Sequence, residues 1–178
     1  MIIMSPRSVN IVRMDERDLN EPGFETFDCG NEVTNTFFKT ECYNEQQAGL
    51  NVTYILYYNG QLAAFVSICA DTLTLTEEER GEEFARKIVP ALKIAQLGRD
   101  LQFRELQFGR VLVNEMLRVA FNIYDAHLGI RYVTLDAIAG RVEYYESLGF
   151  TVNTDRKYTK KNAYTSMRRD ILAGLYEE

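Results

Sequence analysis

The chain has 178 residues, so its length predicts one domain spanning residues 1–178. Hydrophobic residues make up 46% and charged residues 26% of the sequence, a balance that excludes a disordered or fibrous chain. The formal net charge of −6 argues against a broad nucleic-acid-binding face, which needs concentrated Lys and Arg, but it leaves room for a local basic patch.

The sequence predicts a cytoplasmic protein with neither a membrane span nor a metal site. No run approaches the ~18 apolar residues of a membrane span, and the apolar stretch in MIIMSPRSVN is too short for a signal peptide. Cys29, Cys42 and Cys69 form no CxxC pair, and His127 is the one histidine. We therefore expect free, buried thiols in a reducing compartment. A reactive Cys29 is the alternative, which the acidic neighbour Asp28 disfavours.

The first third of the chain predicts a strand, a helix and a hairpin. The strand covers residues 9–14, and the helix covers residues 31–47, capped by Asp28 or Asn31 and ended by Gly49. The predicted apolar face of this helix contains Val33, Phe37, Phe38 and Cys42. The runs VTYILYY and QLAAFVSIC are separated by Asn59-Gly60, which favours a two-residue type I′ turn between antiparallel strands.

The middle of the chain predicts a short helix, a strand and a long helix. Thr76 and Glu79 form a capping-box pattern at the start of TEEERGEEFARKI, which Gly81 interrupts. Its glutamates are interpreted as a solvated helix face, with contact to a cationic substrate as the alternative. The segment ALKIAQL predicts a strand that packs through Leu92, Ile94 and Leu97. The following helix is FGRVLVNEMLRVAFNIYDAHL, with Gly129 as its C-cap and an apolar face of Val113, Met116, Leu117, Ala120 and Tyr124.

The last third predicts a strand, a helix and two closing strands. These segments are IRYVTLDA, AGRVEYYESLG with Gly149 as its stop, FTVN and AYTSMRRDIL. The order of the elements favours an α/β (α+β) fold in which helices pack on a mixed sheet.

The strand, loop and helix of residues 92–128 form the segment best suited to chemistry. A helix start carries unpaired N–H groups and partial positive charge, so a loop that leads into it can hold a phosphate or pyrophosphate. Arg99, Arg104 and Arg110 add positive charge there. The alternative is an ordinary strand-to-helix connection with solvated arginines.

Three blocks together resemble the GNAT N-acetyltransferases. PALKIAQLGRDLQFRELQFGRVLVNEML resembles their acetyl-CoA-binding strand, pyrophosphate loop and helix, and VEYYESLGF resembles their C-terminal signature. FETFDCGNEVTNTFFKTEC resembles the opening helix of the branch that contains tRNA-acetylating toxins. The resemblance implies a mostly antiparallel central sheet with helices on both faces, and an acyl-CoA-dependent enzyme.

The resemblance also implies a set of residues that bind acetyl-CoA. The family loop runs Arg/Gln-x-x-Gly-x-Gly/Ala, which places Arg104 first, Gln107 at the first glycine and Gly109 at the last. Gln107 departs from the pattern, so its side chain must point outward or narrow the phosphate cradle, and Glu105 adds negative charge. The implied contacts are Leu97, Gly98 and Arg99 to the pantetheine arm, and Arg104, Glu105, Leu106, Gln107, Phe108, Gly109 and Arg110 to the pyrophosphate.

By the same resemblance, Tyr145 is the general acid that protonates the leaving thiolate. The alternative is that Tyr144 and Tyr145 only pack, and no residue pattern indicates a base. The implied reaction is direct transfer of acetyl from acetyl-CoA to a primary amine, which is a small molecule, a peptide N-terminus or an aminoacyl group. Many family members form dimers, so a homodimer is compatible with the resemblance.

Two other functions remain open. Gln107 and Glu105 favour a non-catalytic GNAT-fold binding module, whereas the toxin branch suggests acetylation of aminoacyl-tRNA by a toxin that has an antitoxin partner. The segment RKYTKKNAYTSMRR contains six basic residues that suit RNA phosphates. The preferred interpretation of that segment is a solvated loop and edge strand, because edge strands often carry Lys.

Overall fold

A computed structural model describes residues 8–82, 85–159 and 163–173 of the chain. The chain divides into two compact units, of which the first contains Met1–Ile68 and Gln96–Leu112 and the second contains Cys69–Ala95 and Val113–Glu178.

The described residues contain a mixed sheet of seven strands. The strands are β1 (Val9–Arg13), β2 (Val52–Tyr58), β3 (Gln61–Thr74), β4 (Ile88–Arg99), β5 (Tyr132–Ile138), β6 (Thr151–Val152) and β7 (Tyr164–Asp170). Their order is β1-β2-β3-β4-β5-β7-β6. β4 and β5 are parallel, whereas the β1–β2, β2–β3, β5–β7 and β6–β7 pairs are antiparallel. The predicted mixed, mostly antiparallel sheet is therefore confirmed.

Most of the predicted helices are present, although several are shorter than expected. The α-helices are α1 (Pro22–Thr26), α2 (Glu32–Thr36), α3 (Cys42–Gln47), α4 (Glu77–Arg80), α5 (Phe108–Ala126) and α6 (Val142–Glu146). A π-helical turn, Phe37–Glu41, connects α2 to α3, so the three segments together form the predicted helix of residues 31–47. Of the two predicted caps, Asn31 is the one used, because its side chain accepts a hydrogen bond from the Thr34 amide.

The first unit contains an aromatic core. Phe27, Phe38 and Phe65 are fully buried, and the rings of Phe38 and Phe65 stack with centroids 4.2 Å apart. Phe37 and Cys42 are also buried, as predicted, but Val33 is 67% exposed. The prediction for Val33 was wrong because this residue lies in the first turn of α2, where the aromatic core does not cover it. Helical periodicity indicates a common face but not how far along the helix the core extends.

The Asn59-Gly60 hairpin is confirmed. Asn59 has φ 49° and Gly60 has φ 79°, and both values are typical of a type I′ turn. Tyr58 pairs with Gln61 directly across the turn. β3 continues past the predicted run as far as Thr74.

In the second unit, a capping box starts α4 and a glycine ends it. The Thr76 side chain accepts a hydrogen bond from the Glu79 amide, and the Glu79 side chain accepts one from the Thr76 amide. The helix stops at Gly81, which has φ 56°, so the predicted continuation toward residue 88 was wrong. Residues 83–84 of that prediction lie outside the described residues.

For the long helix α5, most of the predicted buried face is confirmed, whereas the predicted C-terminal end is wrong. Val113, Met116 and Ala120 are fully buried, whereas Tyr124 is 38% exposed. Gly129 does not cap the helix, which ends at Ala126. Instead, the amides of residues 127 and 128 both donate to the carbonyl of residue 123, which completes the last turn without a glycine. Gly149, with φ 80°, does lie at the predicted stop after α6.

Candidate active site

The end of β4 lies against the aromatic core of the first unit at Gly98. A Cβ atom added at this buried glycine would lie 2.6 Å from Phe65 Cε1 and 3.2 Å from Phe27 Cζ. Only glycine allows the strand to approach these rings so closely. The implied pantetheine-binding backbone of Leu97, Gly98 and Arg99 is therefore held in position by core packing.

A buried aspartate, Asp100, starts the loop that follows β4. Its side chain is 4% exposed, and its carboxylate accepts hydrogen bonds from the amides of Asp28 (3.1 Å) and Gln102 (2.8 Å). In the opposite direction, the Leu101 amide donates to the Asp28 carbonyl at 2.8 Å. This role was not predicted from the sequence, although an aspartate before a short helical turn is a recognisable N-cap signal.

The Arg99 side chain stabilises the loop by hydrogen-bonding to its main chain. Its Nη1 atom donates to the carbonyl oxygens of Arg104 at 2.6 Å and Leu106 at 2.8 Å. Charge-assisted bonds of this kind are among the stronger hydrogen bonds in proteins. The sequence indicated only that Arg99 supplies positive charge and backbone contacts, whereas the structure shows that its guanidinium also shapes the loop.

The two departures from the family loop pattern, Gln107 and Glu105, are both exposed. Gln107 is exposed and does not have positive φ, and its carbonyl accepts the first helical hydrogen bond from Val111 at 3.1 Å. Its side chain is thus at the surface of the loop rather than packed in its interior. Glu105 is 88% exposed and lies 3.3 Å from Arg104 in a surface ion pair, which partly balances its charge.

The first turn of α5 presents main-chain amides. Phe108 is buried, with its ring 5.2 Å from that of Tyr58 and 5.9 Å from that of Phe103, so the helix start is anchored. Gly109 is half-buried and Arg110 is exposed. The first amides of a helix have no acceptor within the helix, and no other acceptor is found for those of residues 108–110 among the described residues. With the helix dipole, this arrangement can bind an anion.

Tyr145 lies on α6 in the second unit, and its ring is held by two aromatic neighbours. Its ring centroid is 5.1 Å from that of Tyr144 and 5.9 Å from that of Phe150. Burial raises the pKa of Tyr145 to about 12; Tyr144 raises it further and the positive charge of Arg141 opposes the change. In the described part of the chain, no group hydrogen-bonds to its hydroxyl. Tyr145 therefore keeps its proton at neutral pH.

The ten predicted cofactor-binding residues lie in the end of β4, the following loop and the start of α5, all in the first unit.

The basic segment near the C-terminus has fewer side chains available to bind phosphates than its sequence indicates. Arg168 Nη1 lies 2.8 Å from Glu79 Oε1, with the two side chains 13% and 8% exposed, and Arg169 donates to the Leu148 carbonyl. Both arginines thus make internal contacts. Of the other four, Arg156 and Lys157 are exposed, and Lys160 and Lys161 lie outside the described residues.

The three cysteines are free, but only Cys42 is buried, and Cys29 and Cys69 are half-buried. Burial raises the pKa of Cys29, which disfavours its reactive thiolate form. In the described residues, no cluster of three or more His, Cys, Asp or Glu side chains is arranged to hold a metal ion. The same residues contain no helix long and apolar enough to cross a membrane.

No known protein-family profile matches the sequence, and no curated protein matches it by sequence. Solved structures, in contrast, match nearly the whole chain. A bacterial toxin is 20% identical with a TM-score of 0.79, covering 97% of this chain and 98% of that one. A tyrosine-to-phenylalanine mutant of KacT is 18% identical with a TM-score of 0.79, covering 92% and 95%.

A third similar structure is AtaT complexed with acetyl-methionyl-tRNAfMet. It is 20% identical with a TM-score of 0.75, and the match covers 90% of this chain and 94% of that one. At such low identities the likeness establishes the fold alone. The chain therefore has the fold of these toxins, in agreement with the GNAT-like architecture that its sequence motifs imply.

Proposed function

We propose that this chain is an N-acetyltransferase that transfers an acetyl group from acetyl-CoA to a primary amine. The proposal depends on one observation: the loop clamped by Arg99 leads into a helix whose first amides lack acceptors among the described residues. The fold is shared with AtaT, a mutant of which has been solved bound to the C-terminus of the antitoxin AtaR and acetyl-CoA.

The residues present suit the cofactor. The amides at the start of α5 would bind the pyrophosphate, and the β4 backbone at residues 97–99 would bind the pantetheine arm. Gln107 and Glu105 had favoured a non-catalytic binding module. The exposed position of Gln107 and the ion pair of Glu105 with Arg104 instead support a working cofactor site.

Tyr145 supplies the proton that the reaction needs at the sulfur atom. A neutral amine attacks the thioester carbonyl, so a C–N bond forms and the C–S bond breaks. The departing thiolate takes the proton of the Tyr145 hydroxyl, the amine releases a proton, and solvent restores the tyrosine. A tyrosine whose pKa is raised to about 12 is protonated before each such cycle.

Calorimetric titration with acetyl-CoA tests the cofactor site. We expect wild-type protein to bind and Arg99→Met to bind roughly tenfold more weakly, because two charge-assisted hydrogen bonds that shape the loop are lost. The matched control is Arg118→Met, which removes an arginine paired with Glu115 on the exposed side of α5. No binding to wild-type protein at millimolar acetyl-CoA would contradict the proposal.

A more specific candidate is a toxin that acetylates aminoacyl-tRNA and has an antitoxin partner. It is favoured by the structural neighbours, which include AtaT with acetyl-methionyl-tRNAfMet and AtaT with the C-terminus of its antitoxin AtaR. Expression in bacterial cells should then arrest growth, and the aminoacyl groups on extracted tRNA should carry acetyl. Tyr145→Phe should restore growth. Normal growth with unmodified tRNA at the same expression level would exclude this candidate and leave a smaller amine as the acceptor.

We further propose that residues 1–178 act as one acyltransferase domain in the cytoplasm. The length and composition that led to this expectation support it, and the described residues contain no membrane-spanning helix. A single calorimetric unfolding transition is the outcome expected of one domain.

A further inference from the structure

The second unit contains a cavity that the proposed cofactor site does not use. Its volume is about 250 Å³, and it is lined by side chains from β3, β4, β5, β7 and the segment before β7. At ~30 Å³ for each water molecule, this space corresponds to roughly eight waters. It therefore suits a group of amino-acid size.

The cavity contains two carboxylates that face one ammonium. Lys93 Nζ lies 2.6 Å from Asp136 Oδ2, and Asp71 accepts a hydrogen bond from Thr134 Oγ1 at 2.7 Å. Burial lowers the pKa of Lys93, but its hydrogen bond to Asp136 and the charges of both aspartates outweigh burial and raise it. Lys93 is therefore charged and is shared between two carboxylates, while the second cation of the lining, Lys157, is exposed.

The carboxylate of Asp136 can accept a further hydrogen bond. Both oxygens of Asp71 are engaged, one by Thr134 and the other by the Thr72 amide at 2.8 Å. The Asp136 side chain is 41% exposed, and in the described residues its Oδ1 atom receives no hydrogen bond. A second ammonium can thus bind Asp136 beside that of Lys93.

Two tyrosines add aromatic surface to this cavity. The hydroxyl of Tyr158 accepts a hydrogen bond from the Thr74 amide at 3.0 Å, which fixes the position of its ring, and Tyr164 is 52% exposed. Lys157, the other cation of the lining, is exposed and lies 5.3 Å from the Tyr158 ring centroid. Its position shows that the ring accepts a cation, and solvent screens its charge.

We propose that this cavity binds the amine acceptor, a compound of amino-acid size whose ammonium group lies against Asp136. The role of the bound amine rests on the proposed acetyl transfer, whereas the binding itself does not. Tyr145 belongs to the same unit, on the helix that follows β5.

Leucinamide, which carries one ammonium group, is the probe, and N-acetyl-leucinamide is its uncharged counterpart. Binding is followed by changes in protein NMR signals. Wild-type protein should bind leucinamide and show no binding of the acetylated compound. Asp136→Asn should weaken leucinamide binding about tenfold, because a charged hydrogen bond is lost. Lys93→Gln should strengthen binding, because it removes the competing ammonium and leaves both carboxylates.

Glu115→Gln is the matched control, since it removes a carboxylate from an ion pair on α5 outside the cavity lining. It should bind leucinamide like wild-type protein. Damage to the fold cannot imitate the Lys93→Gln result, since a misfolded variant does not gain affinity. Unchanged leucinamide affinity in Asp136→Asn, or weaker affinity in Lys93→Gln, would overturn the inference. Acetyl-CoA is titrated separately, so failure of the proposed function would be seen without altering the leucinamide result.

Discussion

At the level of single residues, the hydroxyl of Tyr145 has a higher pKa than that of an ordinary surface tyrosine. Its ring packs against Tyr144 and Phe150, and burial raises its pKa to about 12. The hydroxyl therefore stays protonated, and the described residues leave it free to donate to a ligand.

Tyr145→Phe should lower kcat about 10²-fold, the lower end of the range for general acid catalysis, with little change in acetyl-CoA affinity. Since the pKa of Tyr145 is raised, its hydroxyl keeps its proton above the ordinary tyrosine pKa, so wild-type kcat should not decline through this group up to about pH 10. Steady-state rates across pH and calorimetry provide the measurements. Tyr144→Phe, on the same helix, is the control. Equal kcat in the wild-type protein and Tyr145→Phe would remove this tyrosine from the mechanism.

A second residue-level prediction concerns Gly98. Gly98→Ala should lower the free energy of unfolding by about 1–3 kcal/mol, because the new Cβ would lie 2.6 Å from Phe65 Cε1 inside the aromatic core. Gly129→Ala is a suitable control, since nothing lies within 4 Å of a Cβ at that position. Urea unfolding compares the two variants. A Gly98→Ala protein as stable as Gly129→Ala would show that the strand end can move away from the rings.

At the level of elements, Glu79 connects α4 to β7 and to the segment that follows β6. One carboxylate oxygen caps Thr76, and the other accepts hydrogen bonds from the Thr154 amide and from Arg168 at 2.8 Å. This buried ion pair crosses 89 residues of sequence and joins α4 to β7 within the second unit.

Glu79→Gln should lower the free energy of unfolding by about 3 kcal/mol near neutral pH, since it leaves Arg168 buried without its countercharge. Burial raises the pKa of Glu79, but hydrogen bonds from Thr76 and Thr154 and the charge of Arg168 outweigh it, so the pKa is lowered. The stabilisation is thus present above the pKa of an unfolded glutamate and disappears as pH falls through the folded value.

The difference between wild-type protein and Glu79→Gln should therefore shrink below about pH 4. Chemical unfolding at several pH values measures it. The exposed Glu105→Gln is the control, and it should change stability by less than about 0.5 kcal/mol, because exposed ion pairs contribute little. A pH-independent difference for Glu79→Gln would show that the lost charge is not its cause.

At the level of the whole molecule, the presence of two compact units raises the question of whether they unfold together or separately. As one domain, the chain should unfold in a single calorimetric transition. Acetyl-CoA at about 100 times its Kd should stabilise the folded state by about 2.7 kcal/mol and shift that transition upward as a whole. Two transitions, of which only one responds to acetyl-CoA, would show that the units unfold independently.

The sequence by itself determined the features that depend on near neighbours. The Asn59-Gly60 turn, the Thr76–Glu79 capping box and the Gly149 helix stop follow from backbone preferences of a few consecutive residues. Strand and helix order followed from hydrophobic periodicity, and the ordered motifs indicated the fold. Periodicity does not show how far along a helix the core extends, so the exposed position of Val33 in the first turn of α2 was not predicted.

Only the tertiary structure decided the contacts between distant parts of the chain. The hydrogen bond of Asp28 to Asp100 spans 72 residues, and the Lys93–Asp136 pair spans 43, so neither follows from local spacing. Arg168 illustrates the same limit, because a basic sequence segment does not reveal that its arginine meets a buried glutamate. The physical reason is that charge and hydrogen-bond partners are chosen by packing, which brings together side chains with no fixed separation in sequence.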